Sequence, residues 1–364
     1  MRFAALLVLG ALGLSAADPV ADYVRSAMTT RRIPGLAFAV VRDGKLIRQE
    51  AYGVAHVELQ VPMQESTVFL LASLTKTFTA AAVLELVDQG KLALDDPIAK
   101  HVRGLPQRWS TITVRHCLSH VSGLPDVDDE HEHPRVFTLA DAIRKLGEEK
   151  LDSPGTRSQY NQMGFALLGA VVREVSGLGF EEFIAQRLWQ PLAMTQTSYG
   201  DQIDIVGGRA SMYTVLEPSD DRMWMREQNG QPVFSKDRIY AAVGYVYPRF
   251  TFTGAGANST IADMVKWELG LSAGKVLSPA TLAESARPFR LSDGKLGEFG
   301  LGWYASTRNG HRVMQMSGGG AVAHLRLPDD HLSVIVLTNL QGASPQSLAM
   351  GIAQLYIPQL KAAQ

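Results

Sequence analysis

The stretch from Ser73 to Gly90, SLTKTFTAAAVLELVDQG, constrains the fold of this chain more than any other. It predicts one helix of about five turns, roughly 25 Å long at about 1.5 Å of rise per residue. Ser73 opens it as N-cap or first-turn residue, and Gly90 closes it. Between them Leu74, Phe78, Ala80, Ala81, Ala82, Val83, Leu84, Leu86 and Val87 leave almost no polar face. A helix apolar on nearly all sides belongs in the middle of a protein. Its first turn nevertheless carries a hydroxyl, Ser73, and an amine, Lys76. At i and i+3 the two share one helix face, close enough to touch.

That pairing has a chemical reading and a plain one. A serine hydroxyl is a poor nucleophile until a base removes its proton. A lysine can be that base when burial and nearby cations lower its pKa. A helix amino end also presents N–H groups to an oxyanion. The plain reading is a capping serine with a solvated lysine one turn on. The spacing itself discriminates little, since Ser272 to Lys275 and Ser292 to Lys295 repeat it. Both of those place a glycine just before the lysine in loop-like sequence, so only Ser73 and Lys76 are predicted to share a helical face.

The N-terminus reads as an export signal. Arg2 precedes the apolar run Ala4 to Leu14, and Ser15-Ala16-Ala17 is a small-residue cleavage site. The run is short for a transmembrane span, and no stable membrane insertion is expected after cleavage. Without residues 1–17, 347 of the 364 residues remain, enough for a large core. With 35 basic and 36 acidic residues, nothing points to a nucleic-acid partner or a polybasic membrane face. The expected location is periplasmic or secreted. The lone cysteine, Cys117, permits no internal disulfide and reads as a small core residue.

Taken in order, Ala21 to Thr30 predicts a helix, and Gly35–Val41 and Lys45–Tyr52 a hairpin turning at Asp43-Gly44. Residues 91–254 read as a mainly helical insertion, with helices over Thr113–His120, Leu139–Glu149, Asn161–Gly177 and Phe180–Leu188. Gly200 to Phe250 has no firm pattern. Thr260–Leu271 is helical, the segments from Leu301 to Leu340 read as a strand meander, and Ser347–Leu360 closes as a helix. Two strands from the start and about three from the end predict an α+β fold around an antiparallel five-stranded sheet. Residues 18–90 and 255–364 form that sheet subdomain.

Several motifs in sequence order give a broader likeness. They are Ile33-Pro34-Gly35 with its hairpin, Phe69 to Lys76 with the helix ending Gln89-Gly90-Lys91-Leu92, and Ile112 to His120 followed by Ser122-Gly123-Leu124-Pro125. Pro154-Gly155, Tyr160, Leu167-Leu168-Gly169, Ser259-Thr260 with Asp263, and Phe299-Gly300-Leu301-Gly302-Trp303 follow. In these the chain resembles the serine β-lactamase and penicillin-binding protein superfamily. The likeness is to its class C branch, which includes class C β-lactamases, D-peptidases and family VIII esterases. The resemblance implies a β-lactamase/transpeptidase-like fold and an acyl-enzyme on Ser73, activated by Lys76. Tyr160 matches the tyrosine of the family's Tyr-x-Asn motif and is implied to shuttle protons; the plain alternative is a turn tyrosine packed on the next helix.

Two positions depart from that pattern. The motif asparagine falls at Gln162, which keeps an amide that can hold Lys76 or a substrate carbonyl but is one methylene longer. The third motif, Lys-Thr-Gly or His-x-Gly, falls on Met316-Ser317-Gly318, and methionine carries no charge. By the same mapping Gly319 supplies the second oxyanion N–H, and His324 is a histidine that could enter the site instead. The loss of a cation at Met316 counts against β-lactam hydrolysis and tolerates a neutral ester. Asp126, Asp128, Asp129, Glu130, His131 and His133 form a cluster open to a metal reading, but a polar loop beside the cleft is the favoured one, and neither metal nor cofactor is expected. His120 is expected to bond backbone. The expected function is an esterase-like serine hydrolase acting on a small ester, amide or peptide. The alternatives are a β-lactamase or D-peptidase and, from another class, a non-catalytic sensor.

Overall fold

A computed structural model describes residues 17–127, 137–215, 227–228, 231–232, 238–242 and 248–361. The signal segment through residue 16 and the cluster residues Asp128 to His133 lie outside the described residues.

The hydrophobic pattern of the chain's two ends builds one antiparallel sheet. Strands β1 (Gly35–Arg42), β2 (Lys45–His56) and β3 (Val61–Pro62) come from the start, and β4 (Tyr304–Arg308), β5 (His311–Gly318), β6 (Val322–Leu327) and β7 (Leu332–Thr338) from the end. Their spatial order is β4-β5-β6-β7-β1-β2-β3, and β1 joins the two groups through β7, with Phe38 opposite Val336. The five-stranded expectation is corrected to seven. The late meander keeps all four of its strands, and Val61–Pro62, too short to show a period of two, adds an edge.

Alternation along β1 assigns the two faces. Leu36, Phe38 and Val40 pack with the amino-terminal helix α1 (Pro19–Arg31) and the carboxy-terminal helix α5 (Pro345–Tyr356). Ala37, Ala39 and Val41 face the main core, which holds α2 (Lys76–Asp88), α3 (Gln162–Ser176) and α4 (Ile261–Ser272). Every α2 residue from Lys76 to Leu84 is buried, as its apolar sequence requires. Phe78 meets Trp189 and Trp267 edge-on at 5.5 and 4.7 Å. Gly90 closes the helix at φ 67°, with Lys91 N–H bonded to the Leu86 carbonyl.

The start of α2 differs from expectation. Ala72–Thr75 form a separate 3-10 turn and the α-helix begins at Lys76, with no side-chain cap on either element. Ser73 is therefore not a capping residue. In a 3-10 turn residues i and i+3 eclipse, which aligns Ser73 and Lys76 more closely than α geometry would.

Behind this layer, α4 is tied to the sheet by a buried polar cluster. Glu268 accepts from Arg326 Nε at 2.8 Å, His324 Nε2 at 2.9 Å, Ser333 Oγ at 2.9 Å and Ser272 Oγ at 2.6 Å. Burial works against its charge, yet the Arg326 guanidinium and the His324 ring outweigh it and hold the carboxyl well below the usual range. Removing the carboxylate strands a buried guanidinium. Glu268→Ala is expected to destabilise the fold by about 3–5 kcal/mol in urea unfolding; a loss below about 1 kcal/mol would contradict this account of the cluster.

Candidate active site

The site is built around the turn that delivers Ser73. Leu71 N–H bonds the Ala257 carbonyl at 2.8 Å, and Ala257 N–H bonds Thr75 Oγ1 at 3.0 Å, so the turn is fastened on both sides to one strand. Ala72, just before the serine, sits in the left-handed region at φ 44°, a costly place for a residue with a Cβ. Ser73 is half-buried, whereas Lys76 is 0% exposed.

A buried ammonium needs acceptors. Lys76 Nζ donates to Gln162 Oε1 at 2.5 Å and to the Gly254 carbonyl at 3.1 Å. It also lies 4.6 Å from the centre of the Tyr160 ring and 5.4 Å from that of Phe165, positions that favour a cation over a π face. Gln162 turns its other amide atom away, donating from Nε2 to the Thr251 carbonyl at 2.9 Å. The amide is 2% exposed and committed to these neighbours, so it holds the lysine and does not face an incoming substrate. Its extra methylene fits because residue 254 has no side chain. A Cβ on Gly254 would lie 2.2 Å from Gln162 Nε2.

Tyr160 is 36% exposed and stacks on His120 at 4.6 Å. His120 is buried, and its Nδ1 accepts the Asn161 N–H at 3.0 Å, which puts the ring proton on Nε2. Burial, then the nearby Lys76 charge, drives its pKa well below the ordinary value, so the ring is a neutral platform bonded to backbone. Phe299 packs on the same ring at 4.4 Å, which gives the Phe299-Gly300-Leu301-Gly302-Trp303 motif its place in the site. Burial pushes the Cys117 thiol up to about 12, so it stays protonated inside the core.

The third motif arrives on β5. A Cβ at Gly318 would lie 1.9 Å from the Leu71 carbonyl oxygen and 2.9 Å from the Ser73 nitrogen, so the strand abuts the serine turn only because glycine stands there. Gly319 and Gly320, both at positive φ and exposed, form the β5–β6 turn closed by Ala321 N–H on the Gly318 carbonyl at 3.0 Å. Gly319 thus stands beside Ala72. Ser317 Oγ accepts from Gln346 Nε2 at 2.5 Å. Met316 is 1% exposed and points into the core, directly opposite His324 on β6. His324 does not enter the site from β6: its Nε2 is spent on Glu268.

The structure thus brings Ser73, Lys76, Tyr160, Gln162, Gly318 and Gly319 together around one turn, with Ser317 held at the edge. Sequence reasoning missed Gly254 and Thr251, which lie in a segment without a distinguishing pattern. It also placed Asp126 in a solvent loop or metal cluster, whereas its Oδ1 accepts the N–H groups of Gln162 at 2.7 Å and Met163 at 2.9 Å. Among the described residues no group of side chains suits a metal ion.

Comparison with known proteins places the geometry in context. The beta-lactamase family model matches residues 20–357. Penicillin-binding protein 4* of Bacillus subtilis (strain 168) is 24% identical over 308 residues, covering 81% of this chain and 66% of that protein. Protein flp of Staphylococcus aureus (strain N315) is 32% identical over 176 residues, 46% of this chain and 35% of that protein. The chain spans about one third to two thirds of the length of these curated relatives. Solved structures share the fold. The octameric penicillin-binding protein homologue from Pyrococcus abyssi has a TM-score of 0.75 at 23% identity, over 93% of this chain and 77% of that one. EstCE1, a hydrolase with promiscuous acyltransferase activity, has 0.69 at 22%, over 94% and 97%. The D-amino acid amidase from Ochrobactrum anthropi SV3 has 0.72 at 20%, over 93% and 100%.

The dependence of Gln162 on the space at residue 254 is testable. Gly254→Ala is expected to push the amide off Lys76 and slow covalent labelling of Ser73 by a fluorophosphonate roughly 10- to 100-fold. Gln162→Asn, shorter by one methylene, should recover part of that loss in the Gly254→Ala background. An unchanged labelling rate in Gly254→Ala would contradict the packing argument.

Proposed function

The chain belongs to the beta-lactamase family, and we propose that within it the protein is a serine hydrolase of small esters, with amides as the second class. The observation that carries this reading is the fully buried Lys76 one turn behind the half-exposed Ser73, with the Tyr160 ring 4.6 Å from its ammonium. Ser73 Oγ attacks the substrate carbonyl carbon as its proton passes to the Lys76–Tyr160 pair in the state that holds one proton fewer, either amine with phenol or ammonium with phenolate. The Ser73 N–H and the Gly319 N–H stabilise the oxyanion. The leaving alcohol or amine takes that proton as its bond to carbon breaks, and an acyl-enzyme remains. Water then repeats the sequence and frees the acid and the serine.

The ester preference rests on Met316 and Gln162. Buried methionine at residue 316 offers no charge to a substrate carboxylate, and the Gln162 amide is already engaged by Lys76 and Thr251. A neutral substrate asks for neither group. The esterase and amidase among the fold neighbours make both acyl classes reasonable for this scaffold. β-Lactams or cell-wall-type amides are the alternative substrates, and a non-catalytic sensor is the reading from another class. The export signal over residues 1–17 is read as directing the protein to the periplasm or the exterior. Partners in this reading are small molecules, in keeping with a near-neutral balance of 35 basic and 36 acidic residues. Among the described residues no single helix is long and apolar enough to cross a membrane.

Hydrolysis of p-nitrophenyl acetate and butyrate is the test. Ser73→Ala is expected to reduce it to background, and Tyr160→Phe to lower it by about 100- to 10,000-fold. Hydrolysis that survives Ser73→Ala would remove the reading. Faster turnover of a chromogenic cephalosporin than of either ester would favour the β-lactamase alternative.

A further inference from the structure

The helix that carries Gln162 begins between two residues of the candidate site, Tyr160 and Gln162. Its first N–H groups have no intrahelical acceptor and must find others. The Asn161 side chain takes the Gly164 N–H at 2.7 Å. Asp126 takes the two before it, with one oxygen, Oδ1, accepting from Gln162 at 2.7 Å and Met163 at 2.9 Å. The same oxygen accepts the Val127 N–H at 3.0 Å, which fixes the carboxylate in place. A charged acceptor is more than this helix needs, because a neutral cap such as Asn161 already serves at the third position.

The charge has a counterpart nearby. Asp126, Gln162 and Lys76 lie in series: carboxylate to Gln162 N–H, then Gln162 Oε1 to Lys76 Nζ. Burial raises the Asp126 pKa above the ordinary carboxylate value, and the Met163 and Gln162 N–H groups and the Lys76 ammonium offset only part of that rise. Among the described residues, the Tyr160 ring and the neutral His120 are further titratable groups near Lys76. Tyr304, with Glu298 near it, faces Tyr160. Among the described residues Asp126 is thus a carboxyl group whose Oδ1 accepts three N–H groups, coupled both to the lysine and to the positive end of a 15-residue helix.

We propose that Asp126 is a positioning residue of the hydrolytic reaction: its carboxylate, seated on the amino end of α3, fixes Gln162 on Lys76 and sets the charge balance at that lysine. This rests on the hydrolase reading above. A purely structural cap would serve equally well as a neutral amide. A charge-setting residue would not, because removing the anion disfavours the ammonium and shifts Lys76 toward the free amine.

The test is Asp126→Asn, which keeps an oxygen to accept both N–H groups and loses the charge. Titration of the Lys76 Nζ by NMR of selectively labelled lysine is expected to fall by about half a pH unit or more, the effect of one partly screened charge. The acidic limb of the pH dependence of Ser73-dependent ester hydrolysis should move to lower pH with it, while the melting temperature changes little. Asp126→Ser, a short neutral cap, serves the same comparison if the asparagine variant folds poorly. An unchanged Lys76 titration with an unchanged pH profile would overturn the proposal and leave Asp126 a cap. Failure of the hydrolase reading is distinguished by wild-type hydrolysis that does not depend on Ser73, whereas the lysine titration reads Asp126 directly.

Discussion

A single buried ammonium organises this molecule. Lys76 sits at zero exposure at the start of a helix whose next eight residues are all buried. Left unpaired there, its charge would cost several kcal/mol. The chain meets that cost with Gln162, the Gly254 carbonyl and two aromatic faces, and each of these imposes a further requirement. Gln162 needs room at residue 254 and a helix start held rigidly enough to aim its amide. Tyr160 needs the His120 ring beneath it, and His120 in turn needs the Asn161 N–H. The site follows from placing one lysine where water cannot reach it.

Much of this was legible in the sequence because its signals are local. The apolar run behind Ser73 could only be a core helix. The Asp43-Gly44 turn between apolar runs could only be a hairpin, and the structure gives both the hairpin and the sheet it starts. The order of motifs from Pro34 to Trp303 carried the fold. What stayed hidden depends on contacts distant in sequence. Gly254 has a role only because Gln162 reaches it across 92 positions, and Asp126 only because the helix after Asn161 begins beside it. Neither has a periodicity to announce it. The 3-10 turn at Ser73 was missed for a different reason: its geometry is set by the strand Ala257–Thr260 on one side and Gly318 on the other.

Glu268 could have been found. It is one of two carboxylates, with Asp263 of the first turn, in the largely apolar helix IADMVKWELGL, and His324 and Arg326 alternate with apolar residues on a single strand. Charges on buried faces require partners, and these three are each other's. Their pairing explains why a histidine directly opposite the first residue of the third motif contributes nothing to the serine turn. It also leaves Met316 as the residue that faces His324 inside the core, so the departure at 316 is a change in the interior of the sheet as well as a change in the site.

The most direct test of this account is covalent labelling. The protein would be incubated with a fluorescent fluorophosphonate near neutral pH, followed by intact mass and peptide mapping. The account predicts one adduct per chain, on the peptide containing Ser73, formed much more slowly when Lys76 is replaced by alanine. No adduct under conditions that label an ordinary serine hydrolase, or an adduct on another serine, would contradict the claim that the buried lysine exists to activate Ser73.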